Sequence, residues 1–179
     1  MDGIVIRQAR PDELDAVATL LDRAWTEFDA LGAGEPTYQS YRASVPDVAA
    51  RAGDGVIFVA EAGGALLGTV HYYPPRPGQS RGEDWPSGWA SIRYLGVDPS
   101  ARGTGVGGAL AEAMVELARA DGAPVLGLHT SEWMAVARDM YERMGFVRYP
   151  EHDFHPRPGF VVTAYRFDLR ADEPERDGA

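Results

Sequence analysis

The chain has 179 residues, 45% of them hydrophobic and 25% charged, a balance typical of one soluble globular domain. The formal net charge of -10 disfavours nucleic acid backbones, and the absence of cysteine excludes disulfides, thiolate metal sites and a cysteine nucleophile. No segment approaches the ~20 apolar residues that span a bilayer, and the N-terminus lacks an apolar signal segment. We therefore expect a cytoplasmic protein with no nucleic acid or membrane partner. The acidic surface is equally consistent with a cationic substrate and with a net charge that only keeps the protein soluble.

The first part of the chain predicts short strands alternating with helices. The first helix begins with Pro11 and two acids, and its apolar residues then follow helical spacing. Gly63 and Gly64 predict a hairpin turn between two strands, and residues 74–88, rich in proline, glycine and charge, predict a mobile loop. The predicted elements are a strand at 4–9, helices at 11–28 and, more weakly and interrupted by Pro46, at 37–51, and strands at 56–60, 65–73 and 89–97.

The second part predicts one strand–helix–strand crossover followed by further strands. The predicted elements are a helix that opens at 103–108 and ends at 121–124, a strand at 125–129, a helix at 132–144, and strands at 146–149 and 160–169. This order predicts an α/β (α+β) architecture, with a mixed, mostly antiparallel twisted sheet of six to seven strands flanked by about four helices. We expect one domain over residues 1–169 and a frayed tail over 170–179.

A glycine-rich loop joins the strand at 89–97 to the helix that follows. Glycines let backbone N–H groups approach a ligand, and a helix N-terminus adds unpaired donors and a positive partial charge. Arg102 adds a full charge on a forked donor. A diphosphate site is therefore predicted on Arg102, Gly103, Thr104, Gly105, Val106, Gly107 and Gly108.

Two kinds of cofactor match the spacing of this loop. Gly103, Gly105 and Gly108 satisfy a dinucleotide pattern, whereas Arg102, Gly105 and Gly107 satisfy a coenzyme A pattern. A dinucleotide site requires repeated parallel units and an acid about 20 residues further on, but this loop follows hairpin strands and no acid ends the next strand. Coenzyme A is therefore favoured, and a Rossmann-type dinucleotide binder stays as an alternative.

Two motifs occur in a characteristic order and separation. Residues 94–107 read YLGVDPSARGTGVG, and residues 140–146 read MYERMGF. Together they resemble the two signatures of the GNAT (GCN5-related N-acetyltransferase) superfamily over roughly residues 92–146. The resemblance implies the GNAT fold and an acyltransferase that moves an acetyl group from acetyl-CoA to a primary amine of a small molecule or peptide. In that family the amine attacks directly within a ternary complex, with no metal.

The resemblance also implies roles for particular residues. The signature strand would pair with the pantetheine arm through Leu95, Gly96 and Val97, and the Val97 N–H would act as an oxyanion donor. The diphosphate would bind the loop from Arg102 to Gly107, with Gly108 close by. Tyr141 matches the tyrosine that stands near the thioester sulfur, where it would protonate the departing thiolate or hydrogen-bond to it. An aromatic residue on a helix can also simply pack in the core.

Two positions depart from the family pattern. Ser91 stands where many members carry a glutamate base, and serine does not take up a proton usefully at neutral pH. Met134 stands where the family often has an asparagine that contacts the pantetheine. The remaining candidates for the base are His71, His129, Glu83 and Asp84.

The other features of the sequence leave several alternatives open. Residues 152–155 (HDFH) match no defined metal site, so no metal is expected. A second hypothesis for function is a weakly catalytic acyl-CoA-binding sensor or partner module, which the missing glutamate favours and Tyr141 disfavours. The acceptor and the oligomeric state, including a homodimer, are left open. Aromatic residues that either line an acceptor pocket or pack in the core are Trp25, Phe28, Tyr38 and Tyr41.

Overall fold

The computed structural model describes residues 3–76 and 85–170. Within these ranges the chain forms eight strands and five α-helices, joined by loops and short 3-10 turns. The strands are β1 (Val5–Gln8), β2 (Val56–Ala62), β3 (Ala65–Tyr73), β4 (Ala90–Val97), β5 (Val125–Ser131), β6 (Val147–Arg148), β7 (Phe154–Arg157) and β8 (Phe160–Asp168). The helices are α1 (Leu14–Trp25), α2 (Pro36–Ser44), α3 (Val48–Arg51), α4 (Val106–Ala120) and α5 (Ala135–Arg143).

All eight strands belong to one mixed sheet. Its order is β1-β2-β3-β4-β5-β8-β6, and β7 pairs with β8. Among the described strands, β4 and β5 form the one parallel pair, and the other pairs are antiparallel. This confirms the predicted fold class, and it removes the basis of the dinucleotide alternative, which requires repeated parallel units.

The predicted interruption of the weak helix at 37–51 is confirmed. The segment is divided into α2 and α3, because Pro46 lacks the N–H that a continuous helix requires. One strand differs from the predicted elements. The strand β7 was not predicted, since the prolines of its segment favour a loop. It forms because Gly159, at φ +77°, turns the chain back and lets Arg157 pair with Phe160.

The sheet buries a hydrophobic cluster on each of its faces. On one face, Val17 and Leu21 of α1 pack with Val59 of β2. On the other face, Leu110 and Met114 of α4 belong to the larger cluster. The central strands are apolar on both sides because helices cover both faces, and this fixes the sheet between α1 and α4.

The strands β4 and β5 diverge after a short parallel contact. They pair only where Ala90–Ile92 meets 126–128; beyond that, β4 follows β3 and β5 follows β8. The register on the β3 side shifts between Thr69 and His71, so that two residues of β4 oppose one of β3. Tyr94 lies in this bulge at φ +52°, a left-handed conformation. The divergence leaves a wedge-shaped gap within the sheet.

Candidate functional site

The backbone of β4 directs one donor into the gap. The Asp98 N–H donates to the Leu67 carbonyl at 2.8 Å, and Val97 lies opposite Gly68 on β3. Successive N–H groups of a strand point to opposite sides, so the Val97 N–H points away from β3 and towards the gap. The Val97 N–H is thus directed into the gap, where its role as an oxyanion donor stays a prediction.

The glycine-rich loop leads from β4 into α4 with two residues in the left-handed region. Gly103 has φ +73°, and Gly105, which caps α4, has φ +88°. Gly108 has open space where a side chain would project. The first N–H groups of a helix have no partner within the helix, so the α4 N-terminus presents donors beside an open surface. The loop fits a diphosphate.

Gly107 is the point at which the loop, β4 and α5 converge. A Cβ atom on Gly107 would lie 3.4 Å from Met140 Sδ, 3.5 Å from Val97 Cγ2 and 3.8 Å from Leu95 Cδ2. Met140 precedes Tyr141 on α5. The predicted diphosphate loop, the predicted pantetheine strand and the helix that carries Tyr141 are therefore adjacent.

The Arg102 guanidinium does not face the open side of this loop. Its Nη2 donates to the Ala24 carbonyl at 2.8 Å and lies 2.9 Å from Glu27 Oε1, at the end of α1. In this conformation the backbone of Arg102, and not its forked side chain, is available to a diphosphate. The sequence could not predict this, because Glu27 and Ala24 are distant along the chain.

An Asp-Pro turn holds the start of the loop. Asp98 Oδ1 accepts hydrogen bonds from the Ser100 N–H at 2.9 Å and from the Ser100 hydroxyl at 2.6 Å. These bonds, together with Arg23 nearby, lower the pKa of Asp98 below its usual value. The carboxylate stays ionised at neutral pH and caps the short turn that leads to Arg102.

Tyr141 is buried at the inner end of α5. Its ring contacts Phe146, with 5.4 Å between ring centroids, and the Phe146 N–H donates to the Tyr141 carbonyl at 3.0 Å. Gly145, at φ +99°, allows this helix ending. Burial raises the pKa of Tyr141 well above its usual value, so the phenol keeps its proton at neutral pH.

A cavity of about 280 Å³ opens from the gap. Leu95 of β4 and Tyr141 of α5 both line it, so it adjoins the predicted thioester position. The aromatic residues that the sequence proposed for an acceptor pocket also line it, and the structure adds others from 3-10 and β segments. Six of the lining aromatic residues are Trp25, Phe28, Tyr38, Tyr41, Trp133 and Phe160.

The predicted base candidates differ in whether they line the cavity. His129 lines the cavity, and its Nε2 lies 2.8 Å from the His152 carbonyl. His71 does not line the cavity; burial, followed by the charges of Arg51 and Arg93, lowers its pKa to about 4. Glu83 and Asp84 lie outside the described residues.

Two residues on one face of β4, Ser91 and Arg93, differ in whether they line the cavity. Ser91 is buried between Tyr73 and Gly127 in the paired part of the strand and does not line the cavity. Arg93, two residues further along, does line it. Because residues two apart on a strand lie on one face, the position of Arg93 on the same face as Ser91 could have been predicted from the sequence.

Gly96 is required for helix packing. A Cβ atom there would lie 2.9 Å from Leu21 Cδ2 and 3.3 Å from Ala24 Cβ, both on α1. The side-chain position of Gly96 is thus directed at α1, and only its backbone is available to a ligand in the gap.

Within the described ranges, no group of three or more His, Cys, Asp or Glu side chains is arranged to hold a metal ion. Asp153 of the HDFH segment instead pairs with Arg148 at 2.7 Å and accepts the Ala164 N–H at 2.7 Å. None of the helices in residues 3–76 and 85–170 has the length and apolar character needed to cross a bilayer.

Comparison with solved structures identifies this fold. A GCN5-related N-acetyltransferase from Rhodopseudomonas palustris superposes with a TM-score of 0.70 at 20% identity, covering 94% of this chain and 97% of that one. A GNAT family acetyltransferase from Brucella melitensis in complex with acetyl-CoA gives a TM-score of 0.62 at 20% identity, with 97% and 93% covered. The protein therefore has the GNAT fold.

Comparison at the sequence level identifies the family. The model of the acetyltransferase (GNAT) family matches residues 14–146, so the chain belongs to that family. A mycothiol acetyltransferase from Parafrankia sp. (strain EAN1pec) is 31% identical over 150 residues, which cover 76% of this chain and 46% of that protein. The chain spans less than half the length of the mycothiol acetyltransferases it matches.

Proposed function

We propose that this protein transfers the acetyl group of acetyl-CoA to a primary amine by direct attack. The observation that carries the proposal is the convergence at Gly107 of a diphosphate-type loop, the open edge of β4 and the helix of Tyr141. Family membership, and the acetyl-CoA bound by the Brucella melitensis relative, support the choice of acyl donor. The loop would bind the diphosphate and the edge of β4 the pantetheine arm.

The proposed reaction requires one donor, one acid and one base. The neutral amine nitrogen attacks the thioester carbonyl carbon, and the Val97 N–H stabilises the oxyanion that forms. The C–S bond then breaks, and Tyr141 protonates the leaving thiolate. The attacking nitrogen loses its proton to the base, and the product is an amide.

His129 is the base we propose, because it lines the cavity whereas His71 does not. A carbonyl oxygen can only accept, so the contact of Nε2 with the His152 carbonyl requires the proton on Nε2. In the neutral ring Nδ1 then carries the lone pair that would take up the amine proton; this nitrogen is buried, so the acceptor must displace its neighbours to reach it.

A weakly catalytic acyl-CoA-binding module is the second candidate. The burial of Ser91 outside the cavity favours it, because the usual carboxylate base is missing from that position. The two candidates differ in thiol release: a binding module would bind acetyl-CoA without producing coenzyme A in the presence of amines.

The cofactor site is tested by placing a negative charge at the α4 N-terminus. Gly108→Glu meets open space, and an acid in the first turn of a helix favours folding, so the melting temperature should hold or rise. The same charge repels a diphosphate, so the Kd for acetyl-CoA should increase by about tenfold or more. Gly108→Ala is the control for side-chain volume. Unchanged acetyl-CoA affinity in Gly108→Glu would show that the diphosphate lies elsewhere.

A further inference from the structure

The cavity beside Tyr141 has aromatic walls on several sides. Trp133 contacts both Tyr38 and Phe160, with centroid distances of 5.5 Å and 4.8 Å, and Trp25 contacts both Phe28 and Tyr41 at 5.5 Å and 5.4 Å. These ring pairs meet at interplanar angles of 53° to 65°, and a third aromatic group can pack against such rings. The walls therefore favour an apolar, planar occupant.

The charges around the cavity disfavour an occupant that carries a positive charge in addition to its reacting amine. Its charged lining residues are Arg93 and Arg157, and no Asp or Glu of the described residues lines it. The nearby carboxylate of Glu35 is paired with Arg157. The lowered pKa of His71, to which the charge of Arg93 contributes, is consistent with a positive potential near β4.

Thr130 offers a polar group beside this largely aromatic lining. It lines the cavity and is 2% exposed, and its hydroxyl oxygen is buried with no hydrogen-bond partner among the described residues. A buried hydroxyl without a partner destabilises the folded protein, and a ligand group that hydrogen-bonds to it would remove this cost.

The volume limits the size of the occupant. An apolar cavity of about 150 Å³ in another protein accommodates benzene. The cavity of about 280 Å³ found here therefore has room for one aromatic ring with a short chain beside the acetyl thioester.

We propose that the acceptor is a small molecule in which an aromatic body carries a single primary amine and no second positive charge. This rests on the proposed acetyl transfer and assigns its substrate class. The aromatic body packs between Trp133, Phe160 and Phe28, and the amine points towards Thr130 and the thioester. This differs from the cationic acceptor that the net charge of the chain suggests, because the charges at the cavity are basic.

The test measures coenzyme A release at saturating acetyl-CoA with matched amines. Phenethylamine and tyramine should give kcat/KM values at least tenfold above those of putrescine and spermidine. Preference for the two polyamines would overturn the proposed acceptor class while leaving acetyl transfer intact. Binding of acetyl-CoA without turnover of any amine would overturn both proposals and favour the binding module.

Two variants test which residues of the cavity determine the preference for the acceptor. Trp133→Leu removes an aromatic side chain that lines the cavity, so the KM for phenethylamine should rise about tenfold. The KM for acetyl-CoA should not change. Trp89→Leu is the matched control, a half-buried tryptophan that contacts Tyr149 and does not line the cavity. Equal effects of the two variants would contradict the proposed position of the ring.

The second variant, Arg157→Gln, removes the cation that pairs with Glu35 and leaves a carboxylate beside the cavity. The kcat/KM ratio of putrescine to phenethylamine should rise about tenfold or more. Melting temperatures of all three variants verify that they fold. An unchanged ratio in folded Arg157→Gln would show that charge at the cavity does not select the acceptor.

Discussion

His129 and His71 lie on β5 and β3, yet only His129 reaches the cavity. The environment of His71 keeps its imidazole neutral above pH about 4, with Gly55 close to its ring. His129 is instead oriented by its contact with the His152 carbonyl. At the scale of single residues, access to the cavity and not residue type separates the base candidates.

The two histidines give a matched pair of variants. His129→Gln keeps an N–H donor for the His152 carbonyl but removes the proton acceptor, so kcat/KM should fall about 100-fold. His71→Gln should keep the kcat/KM of the parent enzyme, because His71 does not line the cavity. The measurement is kcat/KM of both variants with one amine. An unchanged kcat/KM in His129→Gln would rule out His129 as the base.

Tyr141 offers a second test at this scale. Tyr141→Phe removes only the hydroxyl, so kcat should fall about 100-fold while the Kd for acetyl-CoA changes little. Tyr72→Phe is the control, because Tyr72 is also buried and its pKa is also raised by burial, but its hydroxyl donates to Asp121 outside the cavity. Comparable kcat losses in both variants would indicate a packing effect.

The sheet and its helices approach closely at two glycines. A Cβ atom on Gly68 would lie 2.8 Å from Val106 Cγ1 and 3.0 Å from Leu110 Cδ1, and Gly96 has the same relation to α1. At the scale of elements, these glycines set the distance from β3 and β4 to α4 and α1. They thereby fix the α4 N-terminus beside the edge of β4.

Gly68→Ala should therefore lower the free energy of unfolding by about 1–3 kcal/mol, since the added methyl group forces Val106 or Leu110 to move. Gly53→Ala meets no atom within 4 Å and serves as the control, with an expected change within about 0.5 kcal/mol. Urea unfolding of both variants measures the difference. Equal stability of the two variants would contradict the packing argument.

The elements and the glycine-rich loop between β4 and α4 were largely predictable from the sequence, because hydrophobic periodicity and glycine spacing are local signals. The side-chain geometry of the site was not. The pairing of Arg102 with Glu27 and the cavity position of Trp133 depend on contacts between distant segments. The strand β7 depends on a turn at Gly159 that overrides its prolines.

At the scale of the whole molecule, an ion-pair network ties the N-terminal strand to the sheet. Glu13 accepts hydrogen bonds from Arg7 at 2.6 Å and 2.8 Å and from the Arg10 N–H at 2.7 Å, and Arg7 also pairs with Glu61 of β2. These bonds, first those from Arg7, lower the pKa of Glu13 from 4.5 to about 2.

A carboxylate whose pKa is lowered by folding stabilises the protein above its ordinary pKa and loses this contribution as pH falls through its folded pKa. Glu13→Gln should thus lower the melting temperature at pH 7, and the difference from the parent should shrink between pH 4.5 and about 2. Glu112→Gln, at an exposed position of α4, should leave the melting temperature unchanged. A difference for Glu13→Gln that does not vary with pH would contradict this origin.

The short parallel contact between β4 and β5 makes the sheet two half-sheets joined by three residue pairs. A pantetheine arm bound along β4 would hydrogen-bond to the part of that strand that β5 leaves unpaired, and would thereby strengthen the junction. Ligand binding to the folded state alone adds about 2.7 kcal/mol of stability when the ligand is at 100 times its Kd. The free energy of unfolding of this protein would then rise with the concentration of its own acyl donor.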